Sequence, residues 1–431
     1  MPARRIPVRP DLEQLRHQAK DLLRAIRRGD ALALEDLATY HPKRIEPAAA
    51  KLADAQLVLA RSYEAPSWAR LVLACKLANA IWDDDVDAVR AIVVAHPKLL
   101  HEQTLIRASS NWGPPMTYAA NLGRDGIISM LHGLGATDLA TALNRATLQG
   151  QITTARTLHE MLGAPRLSAD ALGDPAYTLN VAGTAFALER GAPVRDADGR
   201  RLAPVDVVLE SDSRDPVAKH AILEMYVSHG LELPDTPAMA VHRGRIDLLE
   251  AHLRRDPGLL SRTFSHEEIY PPELGCHDEV LATHGTPLTG ATLLHMCVDY
   301  DEIEMGRWLL ERGMKVDAAA AVDGDGFGGH TALFATVVSQ PNFWMNHQGR
   351  PQVAPFTRLL LEHGANPNAR ASLRKQLHPG YDGEHVMHEY RDVTPISWGE
   401  QFEDKRFVSG PAMRLIAERR LLDKVFAGTH D

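Results

Sequence analysis

What most constrains this chain is a recurring unit of two short helices joined by a tight turn. It is plainest in Gly329 to Arg370, GHTALFATVVSQPNFWMNHQGRPQVAPFTRLLLEHGANPNAR. Thr331 is placed to cap the first helix, its hydroxyl accepting a backbone N–H, and Phe356 to Leu361 carries the apolar spacing of the second. Gly364 then stops the helix, because a glycine takes the left-handed backbone conformation without steric cost, and Ala365-Asn366-Pro367-Asn368 turns the chain outward. Between the two helices lies an insertion, Gln340 to Pro355.

The unit is written many times. Residues 76 to 100 echo both the Arg28-Gly29-Asp30 to His41-Pro42 segment and the Arg243-Gly244-Arg245 to Asp256-Pro257 segment. In the first of these, Val86, Val89, Ile92 and Val93 recur at helical spacing, so one face must be buried against a neighbouring unit. Asp83-Asp84-Asp85 sits where an inter-helix turn favours negative charge at the next helix N-terminus. Further copies run from 114 to 136, 141 to 164, 235 to 260 and 290 to 318, the last with Thr292, Leu294 and His295 at its opening; a final copy begins at Thr394-Pro395. From Pro165 to Leu233 the pattern frays, although LERGAP at 188 to 193 and VAKHAILEMYVSHG at 217 to 230 stay legible.

These residues resemble the ankyrin repeat, about 33 residues with a T-P-L-H-x-A opening. The stretch 53 to 71, with Trp68 as a core anchor, is similar to the leader that precedes the repeats in many bacterial ankyrin proteins. The resemblance implies an all-α solenoid of roughly eight repeats behind a helical N-terminal cap, with long C-terminal finger loops. The expected divisions are a cap at 1–75, partly divergent repeats at 76–233, and repeats with long inserted loops at 234–431. Phe334 and Ser397 stand where the motif has histidine, and His295, where the motif is kept, is expected to hydrogen-bond backbone between neighbouring repeats.

Charge and cysteine content narrow the setting. A formal charge of −9 disfavours nucleic-acid binding, which needs summed Lys and Arg contacts to phosphate. The basic residues of the helix at 11 to 28, Arg16, Lys20, Arg24, Arg27 and Arg28, read as a solvated face. Cys75, Cys276 and Cys297 are odd in number and lack CxxC spacing, which points to a reducing compartment, here the cytoplasm. No apolar run reaches the length of a membrane span, and MPARRIPVRP has no signal-peptide core.

Two kinds of site are compatible with this frame. In the first, a protein partner lies in the concave groove, on positions just before the turn of each first helix: Asn121, Leu122, Leu148, Gln149, His242, Arg243, Asp299, Tyr300, Gln401 and Phe402. Aromatic side chains carry much of the energy of such contacts, so Tyr300 and Phe402 lead, and Trp344 with Phe343 and Met345 offers a second contact or lid from the insertion. In the second, the long fingers 262–289, 318–330 and 371–392 form an enzyme site for a small molecule. Of 21 histidines, ten fall between His266 and His388. His266, Glu268, Tyr270, His277 and His284 would face Asp323, Asp325 and His330, with His385, His388, Glu389, Tyr390 and Asp392 beyond. Such a set can move protons near neutral pH, or hold zinc where three or four ligands converge. No HExxH, nucleophile elbow or phosphate-binding loop supports this alternative, and GDGFGG at 324 to 329 reads as a tight finger. Which cofactor or metal, if any, such a site would use is not specified by the sequence.

Overall fold

The computed structural model describes residues 4–107, 110–276, 285–350, 353–377 and 386–428. The chain is mostly helical, with one small two-stranded sheet among the described residues. It divides into two compact units, Met1–Pro175 with Ala182–Ala192, and Ala176–Val181 with Pro193–Asp431.

The first unit begins with α1 (Leu12–Arg28), α2 (Ala31–Tyr40) and α3 (Leu52–Ser62). Asp11 caps α1 by accepting from the Glu13 N–H at 2.8 Å, and Leu15, Ala19, Leu22 and Ile26 form its buried stripe. Three helix pairs follow: α4 (Trp68–Trp82) with α5 (Val86–Ala95), α6 (Pro115–Asn121) with α7 (Asp125–Gly133), and α8 (Leu139–Leu148) with α9 (Ile152–Met161). α6 packs between α4 and α8, and α7 packs on α5, so like helices lie in rows. The turn within each pair needs one left-handed residue. Gly123 and Gly150 supply it at φ +68° and +71°; in the α4–α5 turn Asp84 does so at +60°, while Asp85 caps α5 through the Ala88 N–H. The acidic triplet is therefore turn chemistry. After α10 (Gly173–Tyr177), α11 (Val181–Glu189) brings Phe186 into this unit's core.

The second unit holds α12 (Val205–Glu210), α13 (Pro216–Ser228), the pair α14 (Pro237–His242) and α15 (Ile246–Arg255), the short α16 (His266–Ile269), the pair α17 (Leu293–Asp299) and α18 (Ile303–Glu311), then α19 (Ala332–Val337), α20 (Gln340–His347) and α21 (Pro355–Glu362). A hairpin of β1 (Ala371–Leu377) and β2 (Val386–Val393) precedes α22 (Pro395–Gln401) and α23 (Gly410–Gly428). α14, α17, α19 and α22 pack in sequence as one row, and α18, α21 and α23 as another. Every residue of α17 and α19 is buried. Helices of seven and six residues are too short to persist alone, so burial on all sides is what holds them.

Three expectations change. The last finger is not a loop: Ala371, Leu373 and Lys375 alternate inward along β1, and Leu373 pairs with Tyr390 on the antiparallel partner. Ala371, Ser372, Leu373 and Arg374 alternate apolar with polar, a strand signature that the charged but inward-facing Lys375 interrupts. The insertion after α19 contains a helix, α20. Thr331 occupies the cap position of α19 but its side chain makes no cap hydrogen bond; its hydroxyl is buried and without a partner among the described residues. Gly364 does close α21 at φ +85°.

Close approach makes one helical glycine a sensitive probe. A Cβ at Gly183 would stand 2.5 Å from the Thr147 carbonyl oxygen, a backbone atom that cannot swing aside. Gly183→Ala should destabilise the first unit by about 1–3 kcal/mol through overpacking, despite alanine's better helix propensity. Urea denaturation checks this; a variant as stable as the parent would mean that α11 does not pack this closely on α8.

Candidate functional site

Two polar features of the second unit adjoin each other, a buried charge network and a cleft at its edge. The network starts from α13. In VAKHAILEMYV the residues Lys219, Ile222, Leu223 and Tyr226 share one helical face and all are buried, which carries the Lys219 ammonium inside. It ends 3.3 Å from the Glu302 carboxylate, and His220 Nε2 lies 2.6 Å from the same oxygen. Arg214 pairs with Asp299 at 3.0 Å and also donates to the Ser211 carbonyl at 2.6 Å. Between the two pairs lies the Tyr300 ring, with the Arg214 guanidinium 4.4 Å and the Lys219 ammonium 4.1 Å from its centroid. The Tyr300 hydroxyl is 2.5 Å from that of Tyr270 and 3.2 Å from the Leu209 carbonyl. Burial pushes Lys219 down to about 8 against the pull of Glu302, and pushes the Tyr300 hydroxyl well above its usual range. Gly244 makes room for this arrangement. It turns the α14–α15 connection at φ +63°, and any Cβ there would run into the His220 ring.

The cleft, of about 480 Å³, is lined by Ser213, Arg214, Asp215 and Pro216 before and at the start of α13, by Asp301 in the α17–α18 turn, and by Pro341, Trp344, Met345 and Gln348 on and beside α20. Asp301 is the left-handed residue of its turn, at φ +58°, as Asp84 is in the α4–α5 turn, where Gly123, Gly150 and Gly244 serve in others. Its carboxyl is raised, first by the surrounding protein and then by Glu302 beside it. α20 is firmly held. Asn342 donates to the carbonyls of Thr336, Val337 and Phe407, each at 3.2 Å, Phe343 stacks on Phe407, and the Trp344 indole N–H donates to the Asp212 carbonyl. A second hollow of about 470 Å³ lies between α15 and α16, where Asp235, His252, Arg255, Arg262 and Glu268 are paired with one another across its walls.

The proposed groove positions separate by exposure. Tyr300, Phe402, His242, Asp299 and Asn121 are buried, between 0% and 3% exposed, so none offers a contact face as it stands. Two of these helix ends are covered by their neighbours: Tyr300 by Arg214 and Lys219, and Phe402 by Tyr390, Trp398 and Phe407. Gln149 and Gln401 are exposed, and Arg243 and Trp344 are half-buried, Arg243 bound to Glu224 at 2.6 Å. Sequence reasoning missed Arg214, Lys219, His220 and Glu302. The signal was present for Lys219, a lysine on the apolar face of an otherwise regular helix.

The finger residues lie side by side without converging. The connections touch through backbone, Ala321 N–H to the Gly290 carbonyl at 2.8 Å and Gly328 N–H to the Ser372 carbonyl at 2.7 Å. Their side chains are engaged in ion pairs and ring contacts: Asp323 and Asp325 with Arg374 of the next finger, Asp392 with Arg370, Glu389 with Arg391, Glu268 with Arg262 and the Ser265 cap, His266 against Tyr270, and His388 against Tyr390. Tyr270 is buried within the charge network. His277, His284 and His385 fall outside the described residues. No three His, Cys, Asp or Glu side chains among the described residues are grouped as metal ligands would be. His330 is buried, donating from Nε2 to the Pro287 carbonyl, and His295 bridges repeats as expected, donating to the His330 carbonyl at 3.0 Å while Nδ1 accepts from Thr292. Burial lowers the two rings to about 4 and about 3. Cys75, Cys276 and Cys297 are free thiols, and no described helix is long and apolar enough to cross a membrane.

No family model matches this chain, and no curated protein matches it. Among solved structures it is similar to the crystal structure of the human ASB11 ankyrin repeat domain, with 15% identity and a TM-score of 0.26, over 71% of this chain and 97% of that one.

Two measurements probe the buried groups. Glu302→Gln strands the Lys219 ammonium and should cost about 3 kcal/mol, whereas Lys219→Met/Glu302→Gln should cost less than the sum of its singles. Additive losses in urea denaturation would show that the two side chains do not interact. His295 and His330 are neutral when folded, so below the unfolded pKa of 6.5 the unfolded chain takes up protons that the native rings refuse, and stability falls with pH down to about 4. His330→Gln keeps a donor for Pro287 but does not titrate. Its stability relative to the parent should improve by about 1.4 kcal/mol per pH unit between pH 6 and 4.5, and a constant difference over that range would contradict the assignment.

Proposed function

We propose that this protein is a cytoplasmic ankyrin-like repeat scaffold, a solenoid that binds another protein on its concave side rather than acting on a substrate. The reading is carried by the cleft beside α20, an open hollow whose lip is fixed in advance and whose lining mixes Trp344, Met345 and Pro216 with Ser213 and Gln348. Preorganised aromatic and apolar surface of this kind favours association, because little side-chain freedom is lost when a partner arrives. The pairing of the finger carboxylates and histidines supports the same reading, since groups committed to structural partners are poorly placed for proton transfer. The net charge of −9 argues against a nucleic-acid partner. Within the second unit, half-buried Arg243 and exposed Gln401 are further contact positions near the ends of their first helices, with Trp344 as the anchor.

The test is quantitative recovery of cross-linked partners from cells expressing either the parent chain or Trp344→Ala. Recovery of the principal partner should fall at least about tenfold in the variant, as for the loss of an aromatic hot spot. Unchanged recovery from a variant of normal stability would remove the cleft from the binding surface.

A further inference from the structure

The cleft beside α20 has a chemistry that selects among polypeptides, and the inference drawn from it rests on the binding role just proposed. Its apolar part extends outward. Val353 lines the cleft and is 57% exposed, while Tyr177 and Val217, 70% and 78% exposed, directly follow or precede in sequence the lining residues Thr178 and Pro216. Exposed large apolar side chains on, or next in sequence to, the residues that line a hollow point to an interaction surface.

Its charge is uneven. Arg214 is the most deeply placed cation of the lining, but Asp299 neutralises it and the Ser211 carbonyl takes a further donor. Asp215 uses one carboxylate oxygen to cap α13 through the Ala218 N–H, leaving the other oxygen outside that bond. Asp301 lines the cleft, and its side chain has no hydrogen bond or ion pair among the described residues. Against these two carboxylates stands Arg350, an exposed residue near the end of the insertion. The aromatic face available beside them is Trp344, oriented by its indole bond to the Asp212 carbonyl. Two carboxylates together with an indole ring are the elements that hold a guanidinium or ammonium group, through charge-assisted hydrogen bonds and a cation–π contact.

We infer that the cleft takes a polypeptide segment in which an arginine or lysine is flanked by apolar residues, the cation meeting Asp215, Asp301 and Trp344 and the apolar neighbours covering Tyr177, Val217 and Val353. The acidic balance of the whole chain favours the approach of such a segment and makes its capture sensitive to salt.

The experiment uses the full chain and three synthetic peptides of equal length, with Leu and Phe at fixed positions and Arg, Gln or Glu at the others. Binding is followed by calorimetry, and contact by hydrogen-exchange protection of 213–217 and 341–350. The Arg peptide should bind at least about tenfold more tightly than the Glu peptide and should weaken as salt is raised. Asp301→Gly places at this turn the residue that Gly123, Gly150 and Gly244 supply at theirs, so it should fold at least as well as the parent while binding the Arg peptide about tenfold more weakly. Asp301→Asn, which also tolerates the left-handed backbone, should lose binding to a similar degree. If Gln and Arg peptides bind equally and both depend on Trp344, the cationic assignment is overturned and the binding role stands. Binding of the Arg peptide that neither Asp301 variant weakens overturns the assignment as well. If no peptide binds or protects these segments, the inference fails; the binding role is judged separately by partner recovery with Trp344→Ala.

Discussion

Burial of very short helices is the constraint on which the second unit depends. α17 and α19 have no exposed face, so each is stabilised by the helices on either side and by the connections above it rather than by its own propensity. Any polar atom they carry must then find a partner inside the protein. This accounts for the neutral His295 between Thr292 and the His330 carbonyl, and for His242 donating to the Ile269 carbonyl at 2.8 Å. Histidines that look like a catalytic inventory in the sequence are, at these positions, the means by which buried backbone carbonyls are satisfied.

The same constraint explains the charge network. α13 presents Lys219 to the interior, and the α17–α18 turn presents Glu302 to meet it, so that helix and turn are held in one register. A buried ion pair is a poor source of net stability, because both ions give up water, but mispairing is strongly penalised. Tyr300, lying between two cations, joins the Arg214–Asp299 and Lys219–Glu302 pairs into a single unit. The cleft is the outer edge of this construction. Asp301 stands next to Glu302 in the turn, and Arg214 belongs both to the network and to the cleft lining, so the shape of the cleft is set by interactions that lie behind it.

How much could be read in advance differs by feature. The helix pairs were legible because apolar spacing and left-handed turn glycines are local signals, seen in Val86, Val89 and Val93 and in Gly123, Gly244 and Gly364. The hairpin was missed although Ala371, Leu373 and Lys375 alternate, since an isolated strand is hard to tell from a polar loop before its partner is known. For the site, nothing local in the sequence indicated that Tyr300 and Phe402 would be covered. Exposure at the end of a helix depends on what packs over it, and the covering groups come from positions as distant as Arg214 and Lys219 for Tyr300.

By itself, then, the sequence determined the repeated helix pairs and the places where they turn, because both follow from residues within a few positions of one another. It also determined that Lys219 would face inward, by the 3.6-residue period of the helix that carries it. Only the tertiary structure decided that this lysine meets Glu302, that the finger carboxylates pair with neighbouring arginines instead of converging, and that α20 closes one side of a cleft. Those outcomes rest on contacts between residues 49 to 132 positions apart, whose geometry no local pattern encodes.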